Sequence, residues 1–209
     1  MGGPEATPLP KPDRRPLGRR SRILIAALAT WALVASVGFG WAWVQHQAEI
    51  NATTNSILMN MGSEFLSASA ATQSLLTHRS LSYGWNASIW LDQVRRSVGE
   101  LYATSDGLTL LLALNLTSGS ADCPYLAYTN ILELAAFDPS LLNGTNPYIL
   151  YFGAAENLTL SLGHNLWNIV GSSSGAPVQL GSSSVTGIRA EVAALYAASE
   201  SYAGAGCVY

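Results

Sequence analysis

The sequence predicts an all-α protein: a single transmembrane helix extended into a stalk, followed by an extracytoplasmic bundle of four to six helices. Three observations carry that expectation. One apolar run, Ile23 to Val44, holds 22 residues without a charge. The positive charge is gathered just ahead of it. Beyond it, apolar residues recur at three- and four-residue spacing, and no strand-like alternation exceeds four residues apart from a short stretch at Pro177 to Leu180.

The 209 residues are 49% hydrophobic and only 11% charged, with a net charge of -3. Soluble domains usually carry ~25% charged residues. This composition excludes a disordered chain, which needs few apolar residues and many charges. It also excludes a nucleic-acid partner, because phosphate neutralisation needs clustered Lys and Arg.

The charge is split. Lys11, Arg14, Arg15, Arg19, Arg20 and Arg22 stand against Glu5 and Asp13 in the first 22 residues, giving +4, and the remainder carries -7. Residues 1–22 are therefore expected to be a disordered basic cytoplasmic tail. Its prolines at positions 8, 10 and 12 miss the three-residue spacing of a polyproline ligand.

Residues 23–44 come next, as a signal anchor. At ~1.5 Å rise per residue they span about 33 Å, enough for a ~30 Å hydrocarbon core. Trp41 and Trp43 sit at the far end, where indole rings favour the lipid–water boundary, and Arg19, Arg20 and Arg22 hold the near end in the cytoplasm. A cleavable signal has an apolar region of roughly 7–15 residues. The small-x-small site Gly40-Trp41-Ala42 is moreover followed by bulky Trp43. A retained anchor is the expectation, in the cell membrane, with residues 45–209 outside.

That exterior part reads as helices in order. Ile50, Ile57, Met61, Phe65, Ala68, Ala71 and Leu75 form one stripe over residues 45–78, with Thr54 as its single polar slot. Leu81 to Asn86 reads as a turn around Gly84. Ile89, Trp90, Val94, Val98 and Leu101 then mark an amphipathic helix. A short apolar helix follows Asp106-Gly107 and runs to about Leu114, and Thr117 to Asp122 is a loop. Asp122 can cap a helix presenting Tyr125, Tyr128, Ile131, Leu132 and Ala135 and ending near Asp138-Pro139. Residues 148–170 are the next helix and 171–184 a flexible Ser/Gly loop. The last helix opens at Ser184 and carries Ile188, Val192, Leu195, Tyr196 and Tyr202. Trp85, Trp90 and Trp167 are expected mainly in the core.

In an oxidising exterior, Cys123 and Cys207 most simply form one intrachain bridge, with free thiols or an intermolecular bond as alternatives. Closing that loop stabilises by about 4.5 kcal/mol on the chain-entropy account. Five Asn-x-Ser/Thr sequons are candidate glycosylation sites: Asn51, Asn86, Asn115, Asn143 and Asn157. Asn86 and Asn143 fall in expected turns and are the best acceptors.

Catalytic chemistry finds little support. Gly171-Ser172-Ser173-Ser174-Gly175 matches the nucleophile-elbow string, but no His follows it and no strand precedes it. The one lysine, Lys11, lies before the apolar run. His46, His78 and His164 belong to no metal-ligand motif, and His164 reads as a partly buried helix residue. No catalytic residue, metal ligand or cofactor is nominated.

The expected function is that of a single-pass membrane protein whose non-catalytic exterior domain binds a ligand or assembles. Its partners would be the lipid bilayer and either further copies of itself, joined through residues 23–75, or other envelope proteins. One alternative is an exterior sensor module that signals through a partner. Another is a filament subunit, because the basic leader and apolar helix of residues 14–50 resemble type IV pilins. The resemblance fails where Arg22 abuts Ile23 and where the apolar run carries no Glu, the first after Ile23 being Glu49.

Overall fold

A computed structural model describes residues 18–104, 107–114, 116, 128–135, 137–173 and 175–203. All regular elements among them are helical: α1 (Arg19–His78), α2 (Leu81–Tyr102), α3 (Gly107–Ala113), α4 (residues 128–135), a 3₁₀ turn (Pro139–Leu142), α5 (Pro147–Ser173) and α6 (Ser183–Ala203). The Pro177 to Leu180 stretch is not a strand. The chain divides into two units at Gln45–His46.

The first unit, over its described residues, is the amino-terminal part of α1. Its large apolar side chains, from Ile23 to Val44, all lie exposed. It is long and apolar enough to cross a membrane.

The second unit builds one hydrophobic core to which every helix contributes. From Thr54 onward α1 is not a free stalk. Leu58, Met61, Phe65 and Leu75 are fully buried at the centre of that core. A lone helix has nowhere to bury such a stripe, so the other helices close over it.

Gly62 and Gly163 bring α1 and α5 into close approach. A Cβ on Gly163 would lie 2.7 Å from Leu66 Cγ and 2.9 Å from the Gly62 carbonyl oxygen. Across the same pair of helices, the Ser69 hydroxyl donates to the Glu156 carbonyl at 3.1 Å. Tyr128, Tyr151 and Phe152 pack together nearby, with Tyr128 and Tyr151 edge-on at 5.6 Å. The Tyr128 hydroxyl donates to Thr72 Oγ1 at 2.7 Å, and Thr72 donates in turn to the Ala68 carbonyl.

Helix ends follow local chemistry. α1 stops because Arg79 adopts φ 52°, a left-handed conformation usual for Gly or Asn. Its guanidinium donates to the Leu142 carbonyl, which holds the residue in place. Asn146 caps α5 by accepting from the Tyr148 N–H at 3.0 Å, ahead of Pro147 in the first turn. Ser182 Oγ accepts from Val185 N–H at the start of α6.

Three expectations are corrected. Leu81 to Asn86 is the first part of α2, not a turn, and the turn lies at Arg79–Ser80. Gly84 is buried there and faces α4, where an added Cβ would make ordinary contact with the Leu132 carbonyl at 3.4 Å. On α2, Ile89 (53% exposed) and Trp90 face outward, while Gly84, Ala87, Ser88, Leu91, Val94, Ser97, Val98 and Leu101 are buried. The third concerns residues 171–173, which are the last turn of α5 and not loop. There the Ser172 and Ser173 hydroxyls donate to the Ile169 and Val170 carbonyls.

Candidate functional site: a cavity at α1, α3 and the α5–α6 loop

The second unit holds a cavity of about 280 Å³, lined by Asn51, Thr54 and Asn55 of α1, Thr109 and Leu110 of α3, and Pro177, Val178 and Leu180. The last three belong to the loop between α5 and α6. That loop starts where Gly175 adopts φ 84°, a left-handed conformation open to glycine.

Asn55 positions the loop. It is 7% exposed, and its amide donates to Ser173 Oγ at 3.2 Å and to the Ala176 carbonyl at 3.3 Å. One side chain on α1 thus fixes both the end of α5 and the first loop residues.

Thr54 differs from its neighbours. Thr30, Thr53, Thr72, Thr77 and Thr159 each donate to the carbonyl four residues back. Thr54 is 6% exposed, and its hydroxyl has no partner among the described residues. A buried hydroxyl without a partner is destabilising by about 1–3 kcal/mol. Among the described residues no lining side chain is ionisable, and the lining residues offer apolar surface plus neutral hydrogen-bonding groups.

Further cavities among the described residues include two that flank the helices. One of about 220 Å³ shares Pro177 and Val178 with the first and is lined also by Ser172, Ser173, Ser182 and Ser184. The other, about 300 Å³, lies between α2 and α4 beside Trp85, Ile89 and the Asp92–Arg96 ion pair, whose charges are 2.8 Å apart. Next to it, Trp85 meets Phe137 edge-on at 5.6 Å, and Phe137 is 77% exposed. Trp85, Trp90 and Trp167 are all partly exposed, which corrects their expected place in the core.

Glu64 of α1 accepts from Ser97 Oγ of α2 at 3.0 Å. Burial raises its pKa above the usual carboxylate value and nearby Glu100 adds to the rise, against the Ser97 hydrogen bond, which lowers it. Burial likewise pushes the Tyr128 phenol well above its ordinary range. Neither carboxylate nor phenol lines the cavity.

The sequence-derived positions fall as follows. Cys123, Cys207 and Asn115 lie outside the described residues, as do residues 1–17, the loop 117–122, the Asp122 cap and Tyr125. Asn86 is exposed on α2, Asn143 is exposed in the turn after the 3₁₀ segment, and Asn157 is exposed on α5 with its amide donating to the Gly153 carbonyl. Asn51 is half-buried and lines the cavity. Arg19, Arg20, Arg22, Trp41 and Trp43 are exposed along α1. His46, His78 and His164 are exposed too, which corrects the partly buried expectation for His164. The elbow-like Ser173 ends a helix, with its hydroxyl donating to the Val170 carbonyl.

The structure brings Asn51, Thr54 and Asn55 together with a loop more than a hundred residues away. Of these, sequence reasoning found Asn51 for its sequon alone. Thr54 was visible as the one polar slot in the stripe, which was the available signal. Comparison with protein-family models, curated proteins and solved structures finds no match.

Proposed function

We propose that the chain is a single-pass membrane protein that holds a non-catalytic helical binding module outside the cell membrane. The observation that supports this most is the contrast along α1. Every large apolar side chain from Ile23 to Val44 is exposed, whereas the stripe from Ile57 to Leu75 is buried. In water the exposed run would be costly, at about 25 cal/mol per Å² of apolar surface, and in lipid that cost disappears. The basic residues ahead of it support a cytoplasmic amino end.

The test is an epitope tag inserted at exposed Gly144. Antibody labelling of intact cells is the expected result, and labelling only after the cells are broken open would refute the orientation. Outside the cell, Cys123 and Cys207 form a bridge in this reading, and the protein shows no free thiol in non-reducing mass spectrometry. Use of the sequons would appear as a mass shift lost on replacing Asn86 and Asn143.

Self-association is a second reading, favoured by the exposed Trp85, Trp90 and Phe137. The 57–75 stripe is occupied by its own core, so a seam within residues 23–75 is left with the part before Thr54. Light scattering of the solubilised chain, giving a multimeric mass, is the expected outcome.

A further inference from the structure

We infer that the cavity at α1, α3 and the 175–182 loop is a binding site for a small, neutral, mostly apolar molecule with one hydroxyl, of the class of an aromatic or cyclic alcohol, and that Thr54 sets its specificity. This rests on the binding half of the reading above and names its ligand.

Size comes first. A dry aliphatic cavity of roughly 150 Å³ holds benzene. The volume of about 280 Å³ here therefore admits one ring with a few substituents. Charge comes second. With no ionisable group among the described lining residues, a charged ligand would lose its hydration and gain no counter-charge from them.

Thr54 supplies the polar contact. Its hydroxyl is buried and has no partner among the described residues, although a valine would fill the same shape without that penalty. A turn about χ1 exchanges its methyl and hydroxyl positions between staggered wells. A ligand hydroxyl can then donate to or accept from Thr54, and a hydrocarbon of the same size cannot. Sites that leave a polar group unpaired discriminate strongly against the analogue lacking its partner. Access is through the loop. Asn55 holds its first residues, and Pro177 and Val178 form the one wall that is not helical.

The experiment uses the full chain in lipid nanodiscs, with methyl NMR signals of Leu110 and Val178 as reporters and phenol and benzene as probes. Phenol is expected to shift both signals saturably and to bind about three- to tenfold more tightly than benzene. Thr54→Val is expected to raise the Tm without probe by about 2–12 °C. It should also remove the preference for phenol while leaving benzene binding unchanged. Equal affinity of the two probes, shifts that never saturate, or a phenol preference that survives Thr54→Val would each overturn the assignment. So would a fall in Tm for Thr54→Val, because the hydroxyl would then be paired in the free protein. Saturable shifts at Ile89 alone would place binding in the α2–α4 cavity, overturning this site while leaving the module a binding one.

Discussion

The close approach of α1 and α5 sets up a sharp comparison among glycines. A methyl on Gly163 would sit 2.7 Å from Leu66 Cγ, 2.8 Å from Leu66 Cδ2 and 2.9 Å from the Gly62 carbonyl oxygen. Leu66 can rotate away, but the backbone oxygen cannot, so Gly163→Ala must push the two helices apart. Overpacking of this kind is destabilising by about 1–3 kcal/mol. Alanine returns up to about 1 kcal/mol through its better helix propensity. The net loss is about 0–2.5 kcal/mol, which lowers the Tm by up to about 10 °C for a domain of this size. Gly153, on the same helix, has open space around its Cβ position. Gly153→Ala therefore keeps only the propensity gain and raises the Tm by about 1–4 °C. On Gly62, the closest atom to an added methyl is Trp167 Cδ1 at 2.7 Å, in a side chain that is partly exposed and free to swing. Gly62→Ala should fall between the other two. Thermal unfolding followed by circular dichroism at 222 nm ranks the three variants. If Gly163→Ala melts at or above the temperature of Gly153→Ala, the close helix crossing is wrong.

Further outcomes test other parts of the core and its rim. Thr72→Val strands the buried Tyr128 hydroxyl and should be destabilising by about 1–3 kcal/mol, whereas Tyr128→Phe removes the donor itself and costs about 0.5–1.5 kcal/mol. Urea unfolding that reverses this order would refute the assigned hydrogen bond. Glu64 has a folded pKa raised above 4.5, so its contribution is fully present below the unfolded value and is lost as pH rises through the folded one. Glu64→Gln should match the parent near pH 4 and melt at a higher temperature near pH 7, and a constant difference across that range would contradict the burial argument. Arg189 donates from Nε and Nη2 to the Ala113 carbonyl at 2.8 and 2.6 Å, closing the end of α3. Hydrogen exchange of residues 107–113 should quicken in Arg189→Ala while the amides of α5 stay protected.

Periodicity was informative where large apolar residues define the buried face. Ile57, Met61, Phe65, Ala68 and Leu75 on α1, and Ile188, Val192 and Leu195 on α6, lie in the core as their spacing predicts. On α2 the same reasoning placed Val94, Val98 and Leu101 correctly in the core but put Ile89 and Trp90 there too. Its buried face holds small residues, Gly84, Ala87, Ser88 and Ser97, so the heavier Ile89 and Trp90 dominate any count of apolar spacing from outside. Glycine misled in a related way. Gly84 has the composition of a turn, yet it lies buried within α2 facing Leu132, a neighbour absent from its local sequence. The true turn rests on Arg79 in a left-handed conformation, which no residue preference announces.

The loop boundary failed for a different reason. Serines are ordinary loop residues, but Ser172 and Ser173 direct their hydroxyls to backbone carbonyls within α5 and extend it by one turn. The cavity was half legible. Thr54 interrupts an apolar stripe and so marks a position where something other than oil is accommodated. Its far wall comes from Pro177 and Val178, and no local pattern connects those positions.

The Asn55–Ala176 contact joins residues 121 apart in sequence, and it has a temporal consequence. Ribosomes add roughly 5–20 residues per second, so about 6–24 s separate the emergence of its two ends. Through that interval Leu58, Met61 and Phe65 have no α5 to cover them. A nascent chain stalled before residue 147 should expose that oily strip to chaperones and proteases, and one released after α6 should not.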